Sequence, residues 1–172
     1  MKKLLLLILP LTLLSCSSTQ LGGQSRVAIL DESSRAHLST ELTMADYTAF
    51  AEKVTNKMLR SRLVQSWGSK RPKLVVGQLE NATNNDSIRM QDIYDRITET
   101  ILNSGLVRLM DKSSTSFDYV VRTELSETKQ YGGNGEELVY YKLEFKLFTI
   151  DGEMVGQWSD VLPLAKARRK YM

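Results

Sequence analysis

The sequence has few of the residues on which most catalytic and metal sites depend. Its 172 residues include one cysteine, Cys16, and one histidine, His37. A lone histidine cannot supply a multi-histidine metal site, and a lone cysteine cannot close a disulfide within the chain. The glycine-rich residues 132–135 lack the lysine and the following helix of a phosphate-binding loop. We therefore expect no enzymatic activity, no metal, no cofactor and no small-molecule substrate.

Strong net charge is also lacking. Lysine and arginine total 23 against 20 acidic residues, a formal charge of +3. This near balance gives no general electrostatic reason to bind nucleic acid. The 42% hydrophobic and 25% charged residues are typical of a soluble globular domain. After residue 14, no apolar run is long enough to cross a membrane.

The N-terminus has the layout of a secretory signal peptide. Lys2 and Lys3 precede an apolar run at residues 4–14. As a helix this run would span about 16 Å, roughly half of a bilayer core, so it is a poor transmembrane helix. We predict a signal peptide over residues 1–15.

The residues at the end of this peptide resemble the lipobox of bacterial lipoproteins, in which a small residue, here Ser15, precedes the cysteine, Cys16. That resemblance implies a diacylglyceryl group on the Cys16 thiol, cleavage before Cys16 and acylation of the new amine. Several acyl chains give lasting membrane attachment. Ser17 in the next position implies the outer membrane. The alternative is an ordinary signal peptide with a chance cysteine.

The rest of the chain divides into a tether and a domain. Residues 17–40 are rich in Ser, Gly, Thr and Gln and show no sustained period, which predicts a flexible tether over residues 16–41. It would reach about 80 Å fully stretched and about 25–30 Å as a relaxed coil. Residues 42–172 form the predicted globular domain.

Two amphipathic helices are predicted in this domain. The first begins at Met44, with Thr43 as N-cap and an acidic residue in the first turn. Gly68 marks its predicted end. Its apolar face consists of Tyr47, Phe50, Ala51, Val54 and Met58. The second covers residues 89–104 and ends before Gly105.

The strand patterns predict an α+β fold with a single mixed sheet and helices packed on it. Strands at residues 73–80 and 106–109 flank the second helix, which favours a parallel pair. Residues 119–129 and the alternating residues 139–147 form the next two strands. Asp151 and Gly152 predict a hairpin turn into a last strand at residues 154–158.

Two loops are the candidate binding sites. The first is the polar segment 81–87, in which the candidates are Asn81, Thr83, Asn84, Asn85 and Asp86. Asx turns and helix capping would explain the same composition. The second is the glycine-rich connection, with Tyr131, Gly132, Gly133 and Asn134 as candidates. A flexible hairpin connection is the simpler interpretation of that segment.

The central part of the chain resembles the family of the penicillin-binding-protein activator LpoB. The resemblance covers residues 42–160 together with the lipobox. It rests on the order of several motifs, namely residues 74–77 leading into Asn81-Ala82-Thr83, an Ile-rich helix, residues 102–108, the strand at residues 118–120, and Gly152-Glu153-x-Val155-x-x-Trp158.

This resemblance implies a lipoprotein in the outer membrane, facing the periplasm, with a domain similar to the N-terminal domain of TolB. It implies that the domain docks on a periplasmic domain of a bifunctional class A penicillin-binding protein. Docking would activate glycan polymerisation and crosslinking without chemistry by the lipoprotein itself. Better-known relatives have a long Pro-rich tether, whereas residues 17–40 contain no proline. The alternative is an accessory lipoprotein of envelope assembly or secretion that uses the same module.

Overall fold

The structure is a computed structural model that describes residues 42–131 and 137–166, with side chains up to residue 164. Cys16, the predicted signal peptide and the predicted tether lie outside these residues. The helices and strands in the described part are α1 (Met44–Leu59), α2 (Arg62–Gln65), β1 (Lys73–Ala82), α3 (Met90–Ser104), β2 (Arg108–Met110), β3 (Tyr119–Tyr131), β4 (Glu137–Thr149) and β5 (Met154–Lys166).

Helix α1 begins where the sequence predicts. The Thr43 hydroxyl accepts a hydrogen bond from the backbone N–H of Asp46 at 3.3 Å, and the Asp46 carboxylate accepts one from the backbone N–H of Thr43 at 2.8 Å. This reciprocal pair is a capping box, which satisfies two backbone donors that a helix start leaves free. The predicted N-cap is confirmed.

The end of α1 differs from the prediction. The helix stops at Leu59, well before Gly68. Ser61 starts a new helical turn because its hydroxyl accepts from the backbone N–H of Val64 at 3.4 Å. The short helix α2 and a 3₁₀ turn at Gly68–Lys70 then lead into β1. Ser61 therefore acts as a second N-cap and divides the predicted helix. The apolar periodicity alone did not indicate this break.

The five strands form one mixed sheet in the order β2-β1-β3-β4-β5. Strand β1 is parallel to both β2 and β3, whereas β3, β4 and β5 are joined by antiparallel pairing. The α+β class, the mixed sheet and the predicted parallel pair around α3 are confirmed. Among the described residues, no helix is long and apolar enough to span a membrane.

The core lies between one face of the sheet and the helices. Helix α1 packs on β4 and β5, while α3 packs on β1 and β2. The alternation predicted for β4 is confirmed, because every second side chain from residue 139 to residue 147 is buried in this core. These side chains are Val139, Tyr141, Leu143, Phe145 and Leu147. In the described part of the chain no helix covers the opposite face, which we call the open face.

Four strands are longer than predicted. Strand β1 continues to Ala82, β3 to Tyr131 and β5 to Lys166, and β4 spans Glu137–Thr149. Asn81 and Tyr131, which were predicted in loops, are therefore at the ends of strands. Polar residues, Gly156 and Pro163 lower the intrinsic strand propensity of these segments. Pairing with β3 and β4 over most of their length outweighs that weak local preference.

Replacing Thr43 with alanine is expected to lower the free energy of unfolding by about 1 kcal/mol, because the capping box loses its side-chain acceptor. Urea denaturation followed by circular dichroism measures this change. Thr48→Ala is the matched control, since the Thr48 hydroxyl bonds only carbonyls of its own helix. Equal losses in the two variants would show that the cap contributes nothing particular to α1.

Candidate functional site

The first described residues lie at the same end of the sheet as the β1–α3 loop. Helices α1 and α3 run in the same direction, as shown by the hydrogen bond from the Tyr47 hydroxyl to Asp92 at 2.9 Å and the ion pair between Glu52 and Arg96 at 3.9 Å. Because α3 begins just after β1 ends, the start of α1 is also at that end. We call it the loop end of the domain.

Many of the polar side chains of the β1–α3 loop form hydrogen bonds within the loop itself. The Asn81 amide oxygen accepts from the backbone N–H of Thr83 at 3.1 Å, and its Nδ2 donates to the carbonyl of Asn85 at 3.2 Å. The Asn85 amide oxygen in turn accepts from the backbone N–H of Ser87 at 3.0 Å. These are the Asx turns that the sequence offered as an alternative. The helix-capping alternative does not apply, because the N-cap of α3 is Arg89, whose side chain makes no capping bond.

The remaining loop candidates differ in their surroundings. Asn84 donates to the Glu127 carboxylate at 2.8 Å, which ties the loop to β3. The Glu127 side chain is only 2% exposed and also lies 3.4 Å from the Lys129 ammonium. Asp86 is exposed to solvent. Tyr131, at the end of β3, is 74% exposed. Gly132, Gly133 and Asn134 lie outside the described residues.

The open face carries a row of three glutamates that the sequence alone did not reveal. Strand pairing places Glu80 opposite Glu124 and Glu124 opposite Glu144, one on each of β1, β3 and β4. Side chains directly opposite one another on neighbouring strands share a face, and like charges in such positions destabilise a sheet. The row therefore requires compensation by positive charge.

Positive charge from two lysines compensates the Glu144 carboxylate. Its carboxylate accepts from Lys142 at 2.5 Å, from Gln157 at 2.7 Å and from Lys146 at 2.8 Å. Hydrogen bonds from the two lysines lower the pKa of Glu144 to about 2, against the opposing effect of its burial. Although it lies on the open face, Glu144 is only 8% exposed.

A shallow groove of about 430 Å³ runs along the open face between β1, β3 and β4. Glu80, Glu124, Glu144 and Lys146 line it. At one end the Arg122 guanidinium lies 4.7 Å from the centre of the Phe148 ring, a cation–π contact. The groove is a charged, solvent-accessible surface of a kind that suits contact with a polar partner.

The alternation in β4 was the available signal for this surface, because it predicted that Lys142, Glu144 and Lys146 share one face. The position of β3 and β1 beside them depends on strand register, which one strand's pattern does not specify. Among the described residues, no group of three or more His, Cys, Asp or Glu side chains could hold a metal ion.

Comparison with solved structures finds several domains to which this chain is similar. The LpoB C-terminal domain of Salmonella enterica has 16% identity and a TM-score of 0.47, covering 68% of this chain and 98% of that one. The same domain from Escherichia coli has 16% identity and a TM-score of 0.45, covering 67% and 98%. Lipoprotein GNA1162 of Neisseria meningitidis has 8% identity and a TM-score of 0.43, covering 58% and 87%. No curated protein matches the chain in sequence.

The described fold defines a small α+β domain with one mixed sheet, helices on one face and a charged open face. The sequence matches the family described as peptidoglycan-synthase activator LpoB over residues 46–132, half of the chain. The chain therefore belongs to the LpoB family, as the motif order had indicated. The matched segment runs from the first turn of α1 to just past the end of β3.

Replacing Glu144 with glutamine is expected to lower the free energy of unfolding at pH 7 by about 2 kcal/mol, because the folded state loses a carboxylate held by two lysines. The pKa is depressed in the folded state, so this stabilisation is complete above pH 4.5 and is lost as the pH falls towards about 2. Urea denaturation at several pH values measures it. The difference between wild type and variant should shrink across that window, whereas the exposed control Glu153→Gln should stay close to wild type throughout. A constant difference between pH 7 and pH 2 would contradict this account.

Proposed function

We propose that this chain is an outer-membrane lipoprotein that binds and activates a bifunctional class A penicillin-binding protein, and so regulates peptidoglycan synthesis. The observation that carries the proposal is the family match over residues 46–132, because the family is described as an activator of peptidoglycan synthases. In this role the domain acts by binding and transforms no substrate. Its partner is the periplasmic docking domain of the synthase.

The N-terminal sequence supports the membrane part of the proposal. Ser15 and Cys16 follow an apolar run that is too short to span a bilayer. Acyl chains on Cys16 would anchor the protein to the outer membrane, facing the periplasm. Residues 16–41 would then connect the anchor to the domain.

The geometry of the domain is compatible with this arrangement. The chain enters the described domain at Leu42, which is only 7% exposed and packs in the core, so its entry point is fixed. That entry point lies at the loop end of the domain. The charged open face extends away from it along the strands and leaves a broad surface for a partner.

The direct test uses the full chain purified in detergent together with a purified class A synthase from the same cell. We expect direct binding and a higher rate of glycan polymerisation, measured from lipid-linked precursor. Phe145→Asp, which places a carboxylate in the buried core, is the unfolded control and should give no stimulation. Failure of the folded chain to bind or stimulate any such synthase would reject the proposal.

Anchoring is tested separately in cells. Cys16→Ala should abolish labelling by a fatty-acid probe and release the protein from the outer membrane, because no thiol remains to be acylated. Ser15→Ala, which keeps a small residue before the cysteine, is the matched control and should retain the label. Labelling of the Cys16→Ala variant at the wild-type level would refute lipidation at this residue.

A further inference from the structure

The edge of the sheet at β5 is blocked to strand addition at residues 159–163. Alternate residues of an edge strand direct their backbone groups outward. Of these residues, Ser159 has its carbonyl bonded by the Lys57 ammonium at 2.7 Å, and Val161 has its N–H bonded to the Asp160 carboxylate at 3.0 Å. Pro163 has no N–H to offer. Lys53 holds Asp160 in place at 2.6 Å.

The opposite side of the sheet is open beyond its short edge strand. Strand β2 pairs only with residues 73–75 of β1, whereas β1 continues to Ala82 along β3. After β2 the chain turns away, since the Asp111 carboxylate accepts from the backbone N–H of Ser113 at 2.9 Å and the Asp111 carbonyl accepts from that of Ser114 at 2.9 Å. Within the described ranges, residues 77–82 therefore have no strand beside them on that side.

This free edge borders a cleft of about 640 Å³. The bulged residues Gly77 and Gln78 lie on its sheet side, Tyr94 of α3 forms another wall, and Asp111 and Lys112 close the end next to β2. A cleft of this size beside unpaired strand groups suits an extended peptide, which can satisfy backbone donors and acceptors along its length.

The negative charges beside this edge indicate the charge of one side chain of that peptide. Glu80 and Glu124 stand opposite each other on the open face, and in the part of the chain that the structure describes no lysine or arginine lies within ion-pair distance of either. Lys146 interacts with both only at longer range, being hydrogen-bonded to Glu144. A strand added beside β1 would place a residue directly opposite Glu80 on its free side, where a basic residue would offset this repulsion.

We propose that residues 77–82 of β1 receive an extended segment of the partner protein, which adds as a strand and carries a lysine or arginine opposite Glu80. This inference rests on the proposed function, whose partner is the synthase. A second copy of this chain fits less well, because antiparallel self-pairing of the same edge would bring two Glu80 carboxylates close together.

Hydrogen exchange of the full chain, with and without the purified class A synthase, tests the site directly. We expect exchange of the amides in residues 77–82 to slow by at least about tenfold in the complex, because new ladder bonds form there. The amides of residues 159–163 should change by less than twofold. Binding without protection of residues 77–82 would overturn the inference while leaving the proposed function intact.

A charge reversal tests the chemistry of the site. Glu80→Lys should weaken binding to the synthase by about tenfold or more, because like charges would face each other in the complex. Glu153→Lys makes the same change at an exposed turn on the far side of the domain, and its affinity should stay within twofold of wild type. Circular dichroism confirms that both variants are folded. Equal affinity of the two variants would reject a basic residue at this position.

The remaining outcomes are equally decisive. If no class A synthase binds the wild-type chain, both the inference and the proposed function fail. If residues 77–82 become protected in the chain alone as its concentration rises, with a dimer seen by sedimentation, the edge serves a second copy and the inference is wrong.

Discussion

The domain depends on the burial of one face of β4. Its five inward side chains are at most 2% exposed and occupy the centre of the core. The same strand pairs over its length with β3 on one side and with β5 on the other. Helix α1 packs on β4 and β5, and the parallel strands β1 and β2 extend the sheet beneath α3. With the inward positions 139–147 occupied by the core, Lys142, Glu144 and Lys146 of β4 lie on the open face.

Much of the fold was predictable because its signals are local. The capping pair at Thr43, the four-residue spacing of Ile93, Ile97 and Ile101, and the alternation in β4 each specify an element within a few residues of sequence. Gly105 ends α3 with φ 64°, as its position predicted. Features that depend only on contacts between distant parts of the chain were missed. Strand β5, for example, extends to Lys166 because β4 pairs with it.

The candidate sites were less predictable because they depend on contacts between residues that are far apart in the sequence. The composition of the β1–α3 loop was visible, but only the structure shows that Asn81 and Asn85 use their amides to shape the loop. The glutamate row arises from the register of three strands, so no single segment of the sequence predicts it. The difference between the blocked β5 edge and the free β1 edge was also not predictable from the sequence. Lys57 lies about a hundred residues from the carbonyl to which it donates a hydrogen bond.

The entry of the chain at Leu42 has a mechanical consequence. Any pull through the preceding segment is applied first to the N-terminal turn of α1, which is held by side-chain packing and by the Tyr47–Asp92 bond rather than by a strand ladder. Contacts loaded one after another yield at lower force than ladder bonds loaded together. Tension would therefore peel the first turns of this helix before it disrupts the strand ladder, and the peeled turns would lengthen the chain that precedes the domain.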